Sequence, residues 1–137
     1  MDFYGFYTGK IFDAYKYLGA HVEEKGVTFR TFAPSASRIT LIGEFNDWQE
    51  WEMNKVSDGN FWECYVPQAK AGQMYKYKIY DRNGNPVDHC DPYGFGMELR
   101  PGSASIIRDM SKYKFKDSQW LQSRSDCRKK PLNIYEI

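Results

Sequence analysis

From Gly26 onward, apolar and polar positions alternate with a period of two, the signature of strands with one face on a core. Val27, Phe29 and Thr31 alternate with Thr28, Arg30 and Phe32, and Ala33-Pro34-Ser35 stops the run because proline has no N–H to give a ladder. Arg38 to Gly43 predicts a second strand, with Ile39 and Leu41 on one face and Thr40 and Ile42 on the other. Asp58-Gly59 is a strong hairpin signal and leads into a strand from Phe61 to Val66, stopped by Pro67. Met74 to Tyr80 shows the clearest alternation: Tyr75, Tyr77 and Ile79 are expected to face inward, Lys76 and Lys78 outward. Arg82-Asn83-Gly84-Asn85-Pro86 is its turn, Asp88 to Ser103 is irregular, and Ala104 to Arg108 is one more short strand.

The flanks follow another rhythm. Ile11, Phe12, Tyr15 and Leu18 fit a short amphipathic helix, with Thr8 as its cap and Gly19 as its stop. Asp117 is placed to cap a second short helix that carries Trp120 and Leu121. The basic linker Arg128-Lys129-Lys130-Pro131 then leads to an apolar strand, Leu132 to Ile137. With no partner in view that strand would be an exposed edge, so the chain is expected to be the front part of a longer protein. Strands at roughly ten-residue intervals with turns between them predict an all-β fold, an antiparallel β-sandwich with short helical segments near both termini.

Composition narrows the function. The chain has 137 residues, and 19 Lys plus Arg against 18 Asp plus Glu leave a formal charge of +1. Phosphate-driven nucleic-acid binding leaves a basic stripe, and the one tight basic cluster is Arg128 to Lys130, so no nucleic acid is expected as partner. The length suits one domain and falls short of the roughly 250 residues of a (β/α)8 barrel enzyme. Three cysteines, Cys64, Cys90 and Cys127, make an odd number without paired spacing, which fits a reducing, cytoplasmic setting. The first residues do not have the form of a signal peptide, and no apolar run approaches the ~20 residues of a membrane span. Aromatic residues make up 18% of the chain although its mean hydropathy is only −0.71. A β-rich domain of this kind has rings available for its surface.

Glucose presents hydroxyls at its rim and C–H groups on its faces, so a protein binds glucan with a flat aromatic ring on a face and polar side chains at the rim. Phe45-Asn46-Asp47-Trp48-Gln49-Glu50-Trp51 supplies both kinds of group in seven residues, and Lys76 and Lys78 could add donors. An alternative stays open, in which Phe45 and Trp48 plug the sandwich edge while Asn46-Asp47 makes the turn. Asp88-His89-Cys90-Asp91 collects four metal-ligating side chains, but consecutive extended positions point to opposite sides, and no metal or other cofactor is expected. Neither Cys90 nor His21 has a partner that would make it a catalytic group. Asp13, Glu44, Asp47, Glu63, Asp91, Glu98 and Asp109 give no pairing of the sort glycoside chemistry needs. Glu98 and Arg100 are read as structural partners for neighbouring chain.

Several stretches together resemble the N-terminal region of 1,4-α-glucan (glycogen) branching enzymes. They are Tyr17-Leu18-Gly19-Ala20-His21, Gly26 to Pro34, Ile42-Gly43-Glu44-Phe45-Asn46-Asp47-Trp48, Asp91-Pro92-Tyr93-Gly94-Phe95 and Glu98 to Ser105. Pro131 to Ile137 resembles the start of the first strand of that family's catalytic barrel. The resemblance implies a leader at 1–19 with a short helix, an immunoglobulin-like family-48 carbohydrate-binding module at 20–111, and a linker at 112–137. It implies a parent enzyme that cleaves an α-1,4 glucan and transfers the cut chain to a 6-hydroxyl with machinery in a barrel beyond Ile137. No catalytic residue is therefore expected here, and the implied partners are α-1,4-glucan and that barrel. In related glycogen-binding sandwiches, such as the β subunits of AMP-activated kinase, Trp48 matches a sugar platform and Lys76 a binding lysine. Ser103 and Ser105 fall roughly where those proteins place Thr and Asn, and Asn46 joins them as a candidate rim contact. Their second platform tryptophan has no counterpart in the Asp81 to Pro86 turn, so weak binding is expected.

Overall fold

Breaks at glycine, proline and Asx turns divide the chain into strands that a computed structural model assembles as two antiparallel sheets; it describes residues 1–127, 130–131 and 133–136. In chain order the strands are β1 (Gly19–Glu23), β2 (Gly26–Phe32), β3 (Arg38–Gly43), β4 (Trp51–Glu52), β5 (Asn54–Val56), β6 (Phe61–Val66), β7 (Met74–Tyr80), β8 (Pro86–His89) and β9 (Ser105–Ile106). One sheet runs β1-β2-β6-β5 and the other β4-β3-β7-β8, with β9 pairing the start of β7 at Met74 and Tyr75. The expected sandwich is the observed fold.

Alternation sets which face is buried. Val27 and Phe29 of β2 and Cys64 and Val66 of β6 face Ile39 and Leu41 of β3 and Tyr75 and Tyr77 of β7, and Phe45 closes one end of this core. Phe29 meets Tyr75 edge-on at 4.9 Å between ring centroids, a favoured aromatic geometry. Ile79 is only partly buried, because β7 leaves the core at that end.

The first sheet has a second apolar cluster on its outer face. Helix α1 (Phe3–Tyr7) is capped by Asp2, whose side chain accepts from the Gly5 N–H at 2.9 Å. From it Phe3 and Phe6 reach the Phe61 ring at 4.8 and 5.3 Å, and Phe61 is fully buried although it points away from the main core. This corrects the expected helix between Thr8 and Gly19. Thr8 ends α1 rather than starting a helix, Gly9 turns left-handed at φ +66°, and Ala14–Lys16 forms a single 3-10 turn. Phe12 is consequently 91% exposed, while Leu18 is drawn into the body.

Helix α2 (Ser118–Cys127) forms where Asp117 was expected to start it. Residues 133–136 lie in no strand, so the strand expected over Leu132–Ile137 is not formed there; Leu132 and Ile137 themselves, like Arg128 and Lys129 of the basic linker, lie outside the described residues. Among the described residues no helix is long and apolar enough to cross a membrane.

Candidate functional site

The loop after β3 is built by close approach. Gly43 sits where an added Cβ would lie 2.7 Å from the Met74 carbonyl oxygen and 2.7 Å from the Phe45 ring, so only a glycine lets the chain fold this tightly over the start of β7. A 3-10 turn, Glu44–Asn46, follows. Phe45 drops into the core, and Glu44 Oε2 accepts from the Met74 N–H at 2.7 Å. The Asn46 carboxamide accepts from the Gly43 N–H at 3.0 Å and donates to the Leu41 carbonyl at 3.2 Å, so both ends of it are engaged by the loop itself.

Asp47 and Trp48 then both adopt left-handed backbone, at φ 53° and 58°. Aspartate tolerates that region, whereas a bulky aromatic pays for it in steric strain, and such residues persist where neighbours over-determine them. Here the Trp48 N–H donates to the Gly43 carbonyl at 2.9 Å and the Gln49 N–H to the Asn46 carbonyl at 3.0 Å. The result is an indole 41% exposed beside the end of β3. The two uses open in the sequence divide between the two rings, with Phe45 plugging the edge and Trp48 facing solvent.

Lys76 lies opposite Ile42 in the β3–β7 ladder, on the outer face and one residue from the Gly43–Tyr75 pair that carries the loop. Its Nζ donates to Ser103 Oγ at 3.0 Å, so the fold brings Lys76 and Ser103 together at the end of the sheet where Trp48 emerges. Ser105 is placed differently. It is fully buried, and its Oγ accepts from the Asp91 N–H at 2.8 Å, which leaves it no hydroxyl to show to solvent. Ser103 is exposed and precedes β9, whereas Ser105 opens that strand with its side chain in the interior, so the two do not share a surface.

The rest of that outer face is an ionic lattice. Glu50 accepts from the Tyr80 hydroxyl at 2.5 Å, lies 3.6 Å from Lys78 Nζ and 3.4 Å from the Arg38 guanidinium. Arg38 Nε donates to Glu52 at 2.8 Å and its guanidinium stacks on the Tyr80 ring at 4.6 Å. Lys78 is thus shared between Glu50 and Asp88 rather than free as a donor. The Tyr80 hydrogen bond holds the Glu50 carboxyl below the ordinary carboxylate range, and the Glu52 hydrogen bond raises Arg38.

Sequence reasoning missed Asp91 as an organising group. It is 4% exposed and accepts from the Tyr75 hydroxyl at 2.7 Å, the Tyr77 hydroxyl at 3.0 Å and the Tyr93 N–H at 2.8 Å. The signal was present, since two inward tyrosines two residues apart each need an acceptor. Burial pushes its carboxyl above the ordinary value despite those hydrogen bonds. Glu98 accepts from the Ala104 N–H, the structural use expected of it. Among the described residues no three His, Cys, Asp or Glu side chains gather to hold a metal ion. A cleft of about 400 Å³ lies elsewhere, bordered by Tyr15, His21, Phe95 and Met110.

Residues 17–94, more than half of the chain, match the family described as carbohydrate-binding module 48 (isoamylase N-terminal domain). The chain belongs to this family. Over its whole length the module is 39% identical to the 1,4-alpha-glucan branching enzyme GlgB of Fusobacterium nucleatum subsp. nucleatum, of which it covers 23%. Over 98% of its length it is 40% identical to the GlgB of Dechloromonas aromatica, of which it covers 22%. The module thus spans under a quarter of the length of these curated relatives. Among solved structures, a pullulanase from Anoxybacillus sp. LM18-11, complexed with maltotetraose, superposes with a TM-score of 0.63 at 23% identity, over 77% of this chain and 15% of that one. That likeness concerns the fold.

Proposed function

We propose that this module is the α-1,4-glucan-binding accessory part of a cytoplasmic branching enzyme, resting against the catalytic barrel of its parent and carrying no catalytic group of its own. The observation that supports this most is the exposed Trp48 indole on a strained, multiply fastened loop, with the Lys76–Ser103 pair one register step from the loop's root at Gly43. A flat ring on a rigid support loses little freedom when a sugar face settles on it, and the ammonium and hydroxyl offer rim contacts. Asn46 contributes by holding the loop, and one of its amide N–H groups remains for a sugar hydroxyl.

Magnitude limits the affinity. An indole covering on the order of 100 Å² of apolar area contributes roughly 2 kcal/mol at about 25 cal/mol/Å². A millimolar complex needs about 4 kcal/mol after association costs. One platform with a few rim hydrogen bonds therefore supports a millimolar site and no tighter.

Titration with maltoheptaose followed by NMR tests the reading. Millimolar saturation that disappears in Trp48→Ala is expected, together with an unchanged iodine–amylose spectrum when the module is incubated with amylose. No saturation at all would leave a sandwich that only packs on the barrel, the reading that the engaged Asn46 and buried Ser105 favour, whereas saturation indifferent to Trp48→Ala would move the sugar site away from this loop.

A further inference from the structure

Trp48 is fastened on its N-terminal side by the Asn46 clamp and by Glu44, both within the turn. On its C-terminal side the first side chain with long-range partners is Glu50, two residues on. We infer that Glu50 is the positioning residue for the Trp48 platform: its carboxylate ties the outgoing limb of the loop to β7 through Tyr80 and Lys78 and to β3 through Arg38, and so holds the left-handed Trp48 backbone in place. This inference rests on the glucan-binding reading for its consequence, though not for its geometry.

Three features carry it. The Glu50–Tyr80 hydrogen bond, at 2.5 Å, spans 30 residues of sequence, so it reports tertiary placement and not local turn chemistry. Both carboxylate oxygens are used, Oε1 by Tyr80 and Lys78 and Oε2 by Arg38, which fixes the orientation of the group as well as its position. The backbone it steadies is, among the described residues, the one stretch where two successive non-glycine residues are left-handed, Asp47 and Trp48. A strained conformation persists only where its surroundings over-determine it, and Glu50 adds its ties to the Trp48–Gly43 and Gln49–Asn46 backbone hydrogen bonds. Released at Glu50, the loop keeps only those local bonds against the strain, and Trp48 gains access to extended or right-handed backbone that takes the indole from its place at the end of β3.

A neutral ligand would then depend on a charged group it never touches. Glu50→Ala should weaken maltoheptaose binding roughly five-fold, because the free module must reorder the loop before the ring can be used. Glu50→Gln keeps an acceptor for Tyr80 and Lys78 and should stay close to native, while Tyr80→Phe removes the strongest tie and should follow Glu50→Ala. Asp88→Asn, which breaks only the other partner of Lys78, should leave binding as it is.

The direct readout is the indole N–H resonance of Trp48, assigned through its loss in Trp48→Phe. It should move in Glu50→Ala and Tyr80→Phe and hold its native position in Glu50→Gln and Asp88→Asn. An unmoved Trp48 resonance in Glu50→Ala and Tyr80→Phe, with native affinity, overturns the inference while Trp48→Ala still decides the glucan reading. If the native module fails to bind maltoheptaose, the glucan reading falls, and the resonance alone decides whether Glu50 positions the ring. Should Glu50→Ala not fold, Tyr80→Phe carries the test.

Discussion

Two tyrosine hydroxyls enter the core from β7, and the single carboxylate of Asp91 answers both. Desolvation raises its carboxyl above the ordinary 3.8, and the hydrogen bonds from Tyr75, Tyr93 and Tyr77 offset this only in part. Folded protein therefore binds a proton at Asp91 more readily than unfolded chain does, and stability falls as pH rises through the folded value. The contribution is fully present below the unfolded value and is lost above the folded one. Asp91→Asn cannot titrate and offers one good acceptor for two hydroxyls, which should cost about 1–3 kcal/mol. Its deficit against native protein should be largest near pH 4 and narrow toward pH 7 in urea unfolding; a deficit that widens toward pH 7 would contradict this account. At this scale Lys76 was legible from alternation alone. Asp91 was not, because it comes from an irregular segment whose placement only the three-dimensional path reveals.

Elements that carry their own apolar face were legible, and those defined by a partner were not. β2, β3, β6 and β7 each carry an apolar inward face and appear where the pattern put them, although β2 and β3 are buried at outward positions as well. β4 and β5 are two and three residues long and exist as strands because β3 and β6 present unpaired edges to them, whereas β9 forms inside the short strand expected over Ala104 to Arg108. α1 is too short to signal itself by period, and its reason is Phe61 on the far side of the first sheet. The β3–loop junction shows how much one position decides. Gly43 has extended backbone, φ −177°, so its requirement is space and not conformation. Gly43→Ala should force β3 and β7 apart or turn Phe45 out of the core, at about 1–3 kcal/mol. Thermal melts should show this loss, and an alanine variant as stable as the native protein would mean the loop has slack that the 2.7 Å contacts deny.

For the whole molecule, the span that matches the family, residues 17–94, is smaller than the unit that buries the core. Ala104, Ser105 and Ile107 are buried at 1% exposure or less, and β9 completes the edge of β7. Ile107 also exchanges backbone hydrogen bonds with Gly72 and Gln73, at 2.8 and 3.0 Å, which ties the end of the sandwich to the turn before β7. Cutting at 94 removes a buried isoleucine, a loss of about 2–5 kcal/mol when truncated to alanine, and strips Ser105 from the Asp91 N–H. Cutting at 17 uncovers Phe61 and Phe32 by removing Phe3 and Phe6. Domains keep only about 5–15 kcal/mol in hand, so the two losses together consume most of it. A fragment of residues 17–94 should show no cooperative melt by circular dichroism, whereas residues 1–113, which retain both flanks, should melt within a few degrees of the full chain. A cooperative transition in the short fragment would instead make the flanks dispensable, and the aromatic cluster under α1 would need another purpose. The sequence pointed to this boundary only indirectly. Ala104 to Arg108 reads as a strand, but what makes it indispensable is that it supplies the last buried side chain of a core begun at Ala20, a relation that becomes visible only when Ile107 and Ala20 lie in the same cluster.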